Sequence, residues 1–370
     1  MKPTSPLRHV VIGAGAGIFT THLRGLQLET AELLAVSDID EKKGRARADE
    51  LGCAFFRDHG TMLAETKPDV AVILTPHPFH ANIAIDCLDA GCHVLVEKPM
   101  AIQVAEADAM IAAAQRAQRL LAVNFQQRLR PEVRAAKRLI QQGELGDIQH
   151  VQMVNAWTRT AIYYRQAGWR GTWNGEGGGL LLNQAPHDLD LLCHLAGMPS
   201  RVTAWTRTQM HQIETEDTAQ AMLEWPNGAW GTLHASTAEA GQPQRFEIVG
   251  TNGYLCISRQ GLTVRRFEVD VREFIRTSDR PFASPSAQDV DVELPEGVGD
   301  HAAIYRNLHA AILYDEDLIA DGAEGRMSLE LANAITYASS VRSEVQLPLD
   351  REKYAALLAD YQRSRRTIRA

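Results

Sequence analysis

The chain has 370 residues, more than one ordinary hydrophobic core takes up and enough for two domains of roughly 100 to 200 residues each. Its 38 Lys and Arg against 46 Asp and Glu give a net charge of −8, and no basic run interleaved with aromatics occurs, so nucleic acid and anionic membranes are poor partners. No apolar run reaches the ~18 residues that suggest a membrane span, and MKPTSPLRHVVIGAG passes from a polar lead straight into a strand pattern, unlike a secretory signal.

The first third alternates short β-branched runs (RHVVIGAG, ELLAVSD, DVAVILTP, HVLVEKP, LLAVNF) with helix-like stretches. Uninterrupted apolar strands between helices predict a parallel sheet covered on both faces, a doubly wound α/β domain over residues 1–125. Residues 126–370 have another rhythm. IQHVQMVNAW, RVTAWTRTQM, TAQAMLEW, AWGTLHAST, RFEIVG, YLCISR and LTVRRFEVDV alternate with period two, and PNG (226–228) and TNG (251–253) are hairpin signals. They predict an α+β domain with a large open, mostly antiparallel sheet. Helical patterns at 131–142, 183–196, 302–314 and 328–341 are expected to cover one face of it.

VVIGAGAGIFTTH follows the first strand and opens the first helix, where backbone N–H groups can hold a pyrophosphate. Gly13 and Gly15 fill two places of a GxGxxG fingerprint; Ile18 takes the third, with Gly17 one place early and Ala16 between. The second strand ends in Asp38, 25 residues after Gly13, placed to accept from ribose hydroxyls and to repel a 2′-phosphate, which favours NAD over NADP. A turn or helix cap is its bland alternative.

Two more strand ends carry polar residues, TPHPFH at 75–80 and VEKPM at 96–100. Ligands of such sheets bind outside the carboxyl ends of the strands, so Thr75, Pro76, His77, His80, Glu97 and Lys98 are expected to line a cofactor crevice, with Gln126 from NFQQR. In EGGGLLLNQAPHDLDLL (176–192), Asn183, His187 and Asp190 stand at i, i+4 and i+7, one face of one helix, behind glycines that let the backbone approach a ligand. Asp188 and Asp190 read as structural, and a core histidine satisfied by a carbonyl is the alternative for His187. Arg128, Arg159, Tyr163, Tyr164, Trp169, Arg170, Trp173 and His301 are candidate substrate contacts, because aromatics stack on sugar rings and arginines hold anionic substituents. No HExxH, paired CxxC or carboxylate cluster accompanies His77 and His80, so no metal is expected.

Together the glycine loop, TPxxxH, EKP, NFQQR and GGGLLLNQAPHDLDLL resemble the Gfo/Idh/MocA family of glucose-fructose oxidoreductase, inositol dehydrogenase and rhizopine catabolism proteins, over essentially the whole chain. The resemblance implies a Rossmann domain followed by an open-faced sheet domain. It places the family's EKP lysine at Lys98 and its active-site helix signature at Asn183 and His187, with Asn183 where many members carry Asp. Asn takes no proton, so His187, Lys98 or a bound water carries the acid–base work. Moving a hydride from a carbinol carbon needs an acceptor for the hydroxyl proton, suited to His187, and a cation for the developing alkoxide, suited to Lys98.

The expected activity is NAD-dependent oxidation of a secondary hydroxyl of a sugar, glycoside or cyclitol. Two alternatives stand beside it: a glycosidase with tightly bound NAD that oxidises C3 transiently, and a non-catalytic dinucleotide sensor. Five cysteines (Cys53, Cys87, Cys92, Cys193, Cys256) without CxxC spacing fit reduced thiols in a cytoplasmic protein. An exposed sheet face predicts a homodimer or homotetramer.

Overall fold

Residues 5–364 are described by a computed structural model, in which two compact units divide the chain. The first takes the residues up to Gln126, with Asn174–Gly177 and Gly299–Leu329. The second takes Gln127–Trp173, Gly178–Val298 and the residues from Glu330 onward.

In the first unit β1 (Leu7–Ile12), β2 (Ala31–Ser37), β3 (Ala54–Phe56), β4 (Val70–Ile73), β5 (His93–Val96) and β6 (Leu121–Val123) form a parallel sheet of order β3-β2-β1-β4-β5-β6. The helices between them are α1 (Phe19–Leu26), α2 (Glu41–Leu51), α3 (His59–Thr66), α4 (His80–Asp89) and α5 (Val104–Ala117). Every residue of β4 is buried, as a strand covered on both faces requires, which is why these runs read as continuously apolar. The chain order reverses between β1 and β4, so ligands are expected outside the carboxyl ends of these two strands.

The second unit holds α6 (Pro131–Gln141), β7 (Ile148–Ala156), α7 (Ala161–Arg165) and α9 (Pro186–Ala196), with the four-residue turn α8 (Trp173–Glu176) ahead of α9 and ending in the first unit. Its further strands are β8 (Arg201–Arg207), β9 (Thr218–Glu224), β10 (Trp230–Ser236), β11 (Arg245–Gly250), β12 (Gly253–Ser258), β13 (Gly261–Phe267), β14 (Ala287–Asp289) and β15 (Val345–Gln346), with α10 (Val271–Thr277) after β13. The sheet order is β14-β13-β12-β11-β7-β10-β9-β8-β15, antiparallel throughout except for β7 with β10. The expected hairpins close at residues 226–228 and 251–253, where Gly228 turns with φ +84°. Helices α6 and α9 pack on one face. On the other, the cross-strand neighbours Thr203, Met222 and Thr232 lie beside Trp205 and Trp230, which are 52% and 54% exposed.

Three expectations are corrected. Residues 302–314 form α11 (His301–Tyr314), but this helix packs on α1 in the first unit instead of covering the large sheet. The reason is local: a Cβ on Gly25 of α1 would stand 2.3 Å from the Tyr305 ring, so only glycine admits this close packing. The pattern at 328–341 belongs to α12 (Gly322–Val341), which begins six residues earlier and is followed by α13 (Arg351–Arg363). Asn183, His187 and Asp190 also do not share one helix. Leu180–Gln184 make a π-helical turn, Ala185 leaves it at φ −104° and ψ 8°, and α9 starts afresh at Pro186.

Candidate active site

The glycine turn is built for close backbone approach. Gly13 has φ +90°, and a Cβ there would lie 2.9 Å from the Leu74 carbonyl carbon and the Thr75 nitrogen. Gly15 donates its N–H to Asp38 Oδ2 at 2.7 Å, and the Asp40 N–H donates to Asp38 Oδ1 at 2.8 Å, so Asp38 also braces the turn. Gly17 faces open space, Ala16 is half-buried, and Ile18 caps α1 with no side-chain hydrogen bond. This uncapped helix start, with no described side chain above Gly17, fits a pyrophosphate. Thr75 Oγ1 and Gln126 Oε1 are buried without a hydrogen-bond partner among the described residues, a costly state that polar groups of a bound nucleotide would relieve.

The rings of His77 and His80 both face backbone carbonyls. The His80 ring lies between two carbonyls, Nδ1 at 2.8 Å from Pro99 O and Nε2 at 2.6 Å from Thr75 O, and so ties the turn after β4 to the turn after β5. Burial lowers its pKa against the pull of those carbonyls. His77 Nδ1 faces the Glu176 carbonyl at 3.3 Å, and burial, then His80 and Lys98, push its pKa down to about 3. Pro76 begins the 3-10 turn that carries His77.

Beside them, Glu97 is buried next to the half-buried Lys98. The Lys98 N–H donates to Glu97 Oε2 at 3.2 Å, while Oε1 accepts from Asn124 Nδ2 and from His22 Nε2 at 3.1 Å. Burial alone would raise the Glu97 pKa, but the His22 hydrogen bond, the Lys98 charge and the Asn124 hydrogen bond hold it well below the usual carboxylate range. His301 Nε2 stands 3.8 Å from Glu97 Oε1, and its ring meets His22 edge-on at 4.8 Å. Ligating atoms of His22, Glu97 and His301 lie within 4.8 Å of one another. Oε1 of Glu97 receives two N–H groups, and Lys98 is adjacent.

In the second unit, Asn183 ends the π turn and His187 follows Pro186 in the first turn of α9. Tyr163 donates its O–H to Asn183 Oδ1 at 3.2 Å, and Gln184 Nε2 donates to the Tyr163 oxygen at 2.6 Å and to Asn183 Oδ1 at 2.9 Å. Arg159 Nε donates to Gln184 Oε1 at 2.7 Å. The Arg170 and Arg159 guanidinium carbons lie 4.2 and 5.5 Å from the Tyr163 ring centre, and Trp169 flanks Arg170 at 5.4 Å. Tyr164 bonds Thr237 at 3.1 Å and packs on His211.

Two candidates are spoken for by the protein. Arg128 is buried and forked onto Asp190, and Trp173 is buried against Tyr361, its indole N–H donating to the Glu214 carbonyl at 3.2 Å. The glycines before Leu180 admit protein, not ligand: Cβ atoms on Gly177 and Gly179 would stand 2.4 Å from Ile102 Cβ and 2.2 Å from the Glu216 carbonyl oxygen.

Sequence reasoning missed His22, Tyr305, Asn124, Gln184 and Glu216. The Glu216 carboxylate accepts the N–H groups of Gly179 and Leu181 at 3.0 and 2.9 Å, holding the π turn. His22 left a signal, a histidine at a core-facing position of a short amphipathic helix. Tyr305 and Glu216 left none, since their partners are distant in sequence.

Residues 7–125 match the oxidoreductase family model with an NAD-binding Rossmann fold, and residues 133–256 match the Gfo/Idh/MocA C-terminal domain model. D-glucoside 3-dehydrogenase of Escherichia coli K12 is 31% identical over 226 residues, which are 60% of this chain and 63% of that protein. Trans-1,2-dihydrobenzene-1,2-diol dehydrogenase of Mus musculus is 29% identical over 268 residues, 68% of this chain and 75% of the relative. The chain thus matches less than two thirds of the Escherichia coli relative. WlbA dehydrogenase of Bordetella pertussis, solved with NADH and UDP-GlcNAcA, superimposes with a TM-score of 0.81 at 28% identity, covering 95% of this chain and 100% of that one. With its NAD-binding Rossmann fold and both matched domains in the order their strands predict, the chain belongs to the Gfo/Idh/MocA oxidoreductase family.

Proposed function

We propose that this protein is an NAD-dependent oxidoreductase acting on a secondary hydroxyl of a sugar, glycoside or cyclitol. The observation that carries the reading is Lys98, held at the end of β5 against a buried, ionised Glu97, next to a glycine turn shaped for a dinucleotide. When bound, NAD supplies the acceptor for the hydride leaving the carbinol carbon. Lys98 offers its cation to the developing alkoxide. His187 accepts the hydroxyl proton. Asn183 cannot take a proton, so its part is to orient, its carbonyl fixed by Tyr163 and Gln184. Asp38 receives the ribose hydroxyls, and Thr75 and Gln126 pair their buried oxygens with the cofactor.

Arg159 and Arg170 bind the substrate, with Tyr163, Tyr164 and Trp169 as stacking surfaces. Among the described residues neither arginine has a carboxylate partner, although the chain is acidic overall, and this supports a substrate with an anionic substituent. His301, whose ring nitrogen stands 3.8 Å from Glu97, contributes to the site beside Lys98. Among the described residues no helix is long and apolar enough to cross a membrane, and we place the protein in the cytoplasm. The exposed Trp205, Met222 and Trp230 support a homodimer or homotetramer formed through that sheet face.

Nothing in the site favours net glycoside hydrolysis, and the relatives named above are dehydrogenases. The test is a panel of neutral and anionic sugars, glycosides and cyclitols incubated with NAD, followed by NADH absorbance and by proton NMR for the ketone. NADH and ketone formed together support the reading, whereas free reducing sugar without NADH, or no change with any compound, overturns it.

A further inference from the structure

The late segment that returns to the first unit ends in a chain of protons aimed at Lys98. Tyr305 of α11 meets His22 Nδ1 at 3.0 Å, His22 Nε2 meets Glu97 Oε1 at 3.1 Å, and Glu97 Oε2 accepts the Lys98 N–H at 3.2 Å. Tyr305 and His22 are both fully buried, and three separated stretches of sequence supply the four residues. Burial, then the Glu97 charge, keeps the Tyr305 phenol protonated, so its O–H is there to donate to Nδ1, the arrangement that goes with Nε2–H donating to the carboxylate 3.1 Å away. Asn124, just past the end of β6, donates to the same oxygen, Oε1. A carboxylate gripped from two sides cannot swing, and the backbone it anchors is that of Lys98.

We propose that His22 is a positioning residue for the reaction, locked in its Nε2–H tautomer by Tyr305 and holding Glu97 so that the Lys98 backbone and ammonium stay in place. The role in catalysis rests on the function proposed above; the hydrogen-bonded line does not. It explains why α11 packs on α1 through Gly25, a contact that brings the phenol to His22. It also gives Glu97 work distinct from contacting a cofactor. Second-layer residues of this kind fix the rotamer and charge of the group that touches substrate.

The experiment compares wild type with His22→Leu, His22→Gln and Tyr305→Phe. It reads the imidazole tautomer by nitrogen NMR, the Lys98 amide resonance, NADH affinity, and kcat against KM across pH. In wild type His22 shows the Nε2–H tautomer, and Tyr305→Phe shifts it. His22→Leu moves the Lys98 amide resonance, lowers kcat by about tenfold to a hundredfold and displaces the pH profile, with KM and NADH affinity little changed. His22→Gln, which keeps a donor toward Glu97, recovers most of both. If the Lys98 resonance does not move in a folded His22→Leu protein, the line is refuted whether or not a substrate is known. If it moves while kcat and the pH profile stay wild-type, the catalytic role is refuted. If wild type has the tautomer and the coupled resonance but oxidises no compound, the functional reading fails and the role of His22 falls with it, while the hydrogen-bonded line stands.

Discussion

The Arg128 guanidinium and the Asp190 carboxylate meet through two hydrogen bonds, Nε to Oδ2 at 2.9 Å and Nη2 to Oδ1 at 2.7 Å, with side chains 1% and 0% exposed. The pair joins the turn before α6 to the middle of α9, the helix that carries His187. Two charges taken out of water offset their desolvation only through such fork geometry, and removing one leaves the other buried without that counter-charge. Asp190→Ala is therefore expected to lower unfolding free energy by about 3–5 kcal/mol. Urea unfolding followed by circular dichroism checks this; a loss under about 1 kcal/mol would show that Arg128 finds another partner.

Asp38 has two tasks, bracing Gly15 and facing the ribose. Asp38→Ser removes the negative charge that repels a 2′-phosphate while keeping a short acceptor for the Gly15 N–H. The NAD to NADP preference in kcat/KM is expected to fall by about tenfold, equivalent to roughly 1.4 kcal/mol. An unchanged preference would confine Asp38 to the turn.

Lys98→Ala and His187→Ala are each expected to lower turnover by at least ~100-fold while NADH affinity, read by fluorescence titration, stays near wild type. Wild-type turnover in either variant would remove that residue from the reaction.

Glu216 gives a pH signature. Burial, opposed by the N–H groups of Leu181 and Gly179, pushes its pKa from 4.5 up to about 7. A raised folded-state pKa means that the folded chain keeps a proton the unfolded chain has already released. The stability it contributes is fully present below pH 4.5 and is lost as pH rises through 7. Glu216→Gln should flatten the fall in melting temperature across that window. An equally steep fall in the variant would assign it to other groups.

The open sheet face presents Trp205, Met222 and Trp230, 52%, 48% and 54% exposed. Light scattering at micromolar concentration is expected to give a multiple of the chain mass, and Trp230→Glu to reduce it. A monomeric wild type would contradict the assignment.

The parallel sheet was legible because its central strands carry continuous apolar runs such as Val70–Ile73, and the large sheet because alternation and Asn-Gly turns mark its hairpins. The placement of α11 was not legible. Its apolar stripe fits any core, and what decides its partner is the missing Cβ of Gly25 against Tyr305, a contact 280 residues apart in sequence. Strand ends located Lys98 and Asp38 by rule, because open α/β sheets use those ends. The even spacing of Asn183, His187 and Asp190 misled, since a π turn and Pro186 separate the first from the others and Asp190 faces Arg128. Arg128 and Trp173 read as ligand contacts because a sequence shows which donors and rings are present, not which carboxylate, carbonyl or ring already occupies them.

The most direct test of the account is the fate of the carbinol hydrogen. Sugars, glycosides and cyclitols carrying deuterium at their carbinol carbons, incubated with the protein and NAD, are predicted to give reduced cofactor with deuterium on the nicotinamide ring and the matching ketone. Reduced cofactor free of deuterium, or turnover that releases the deuterium to water with NAD unchanged at the end, would contradict it.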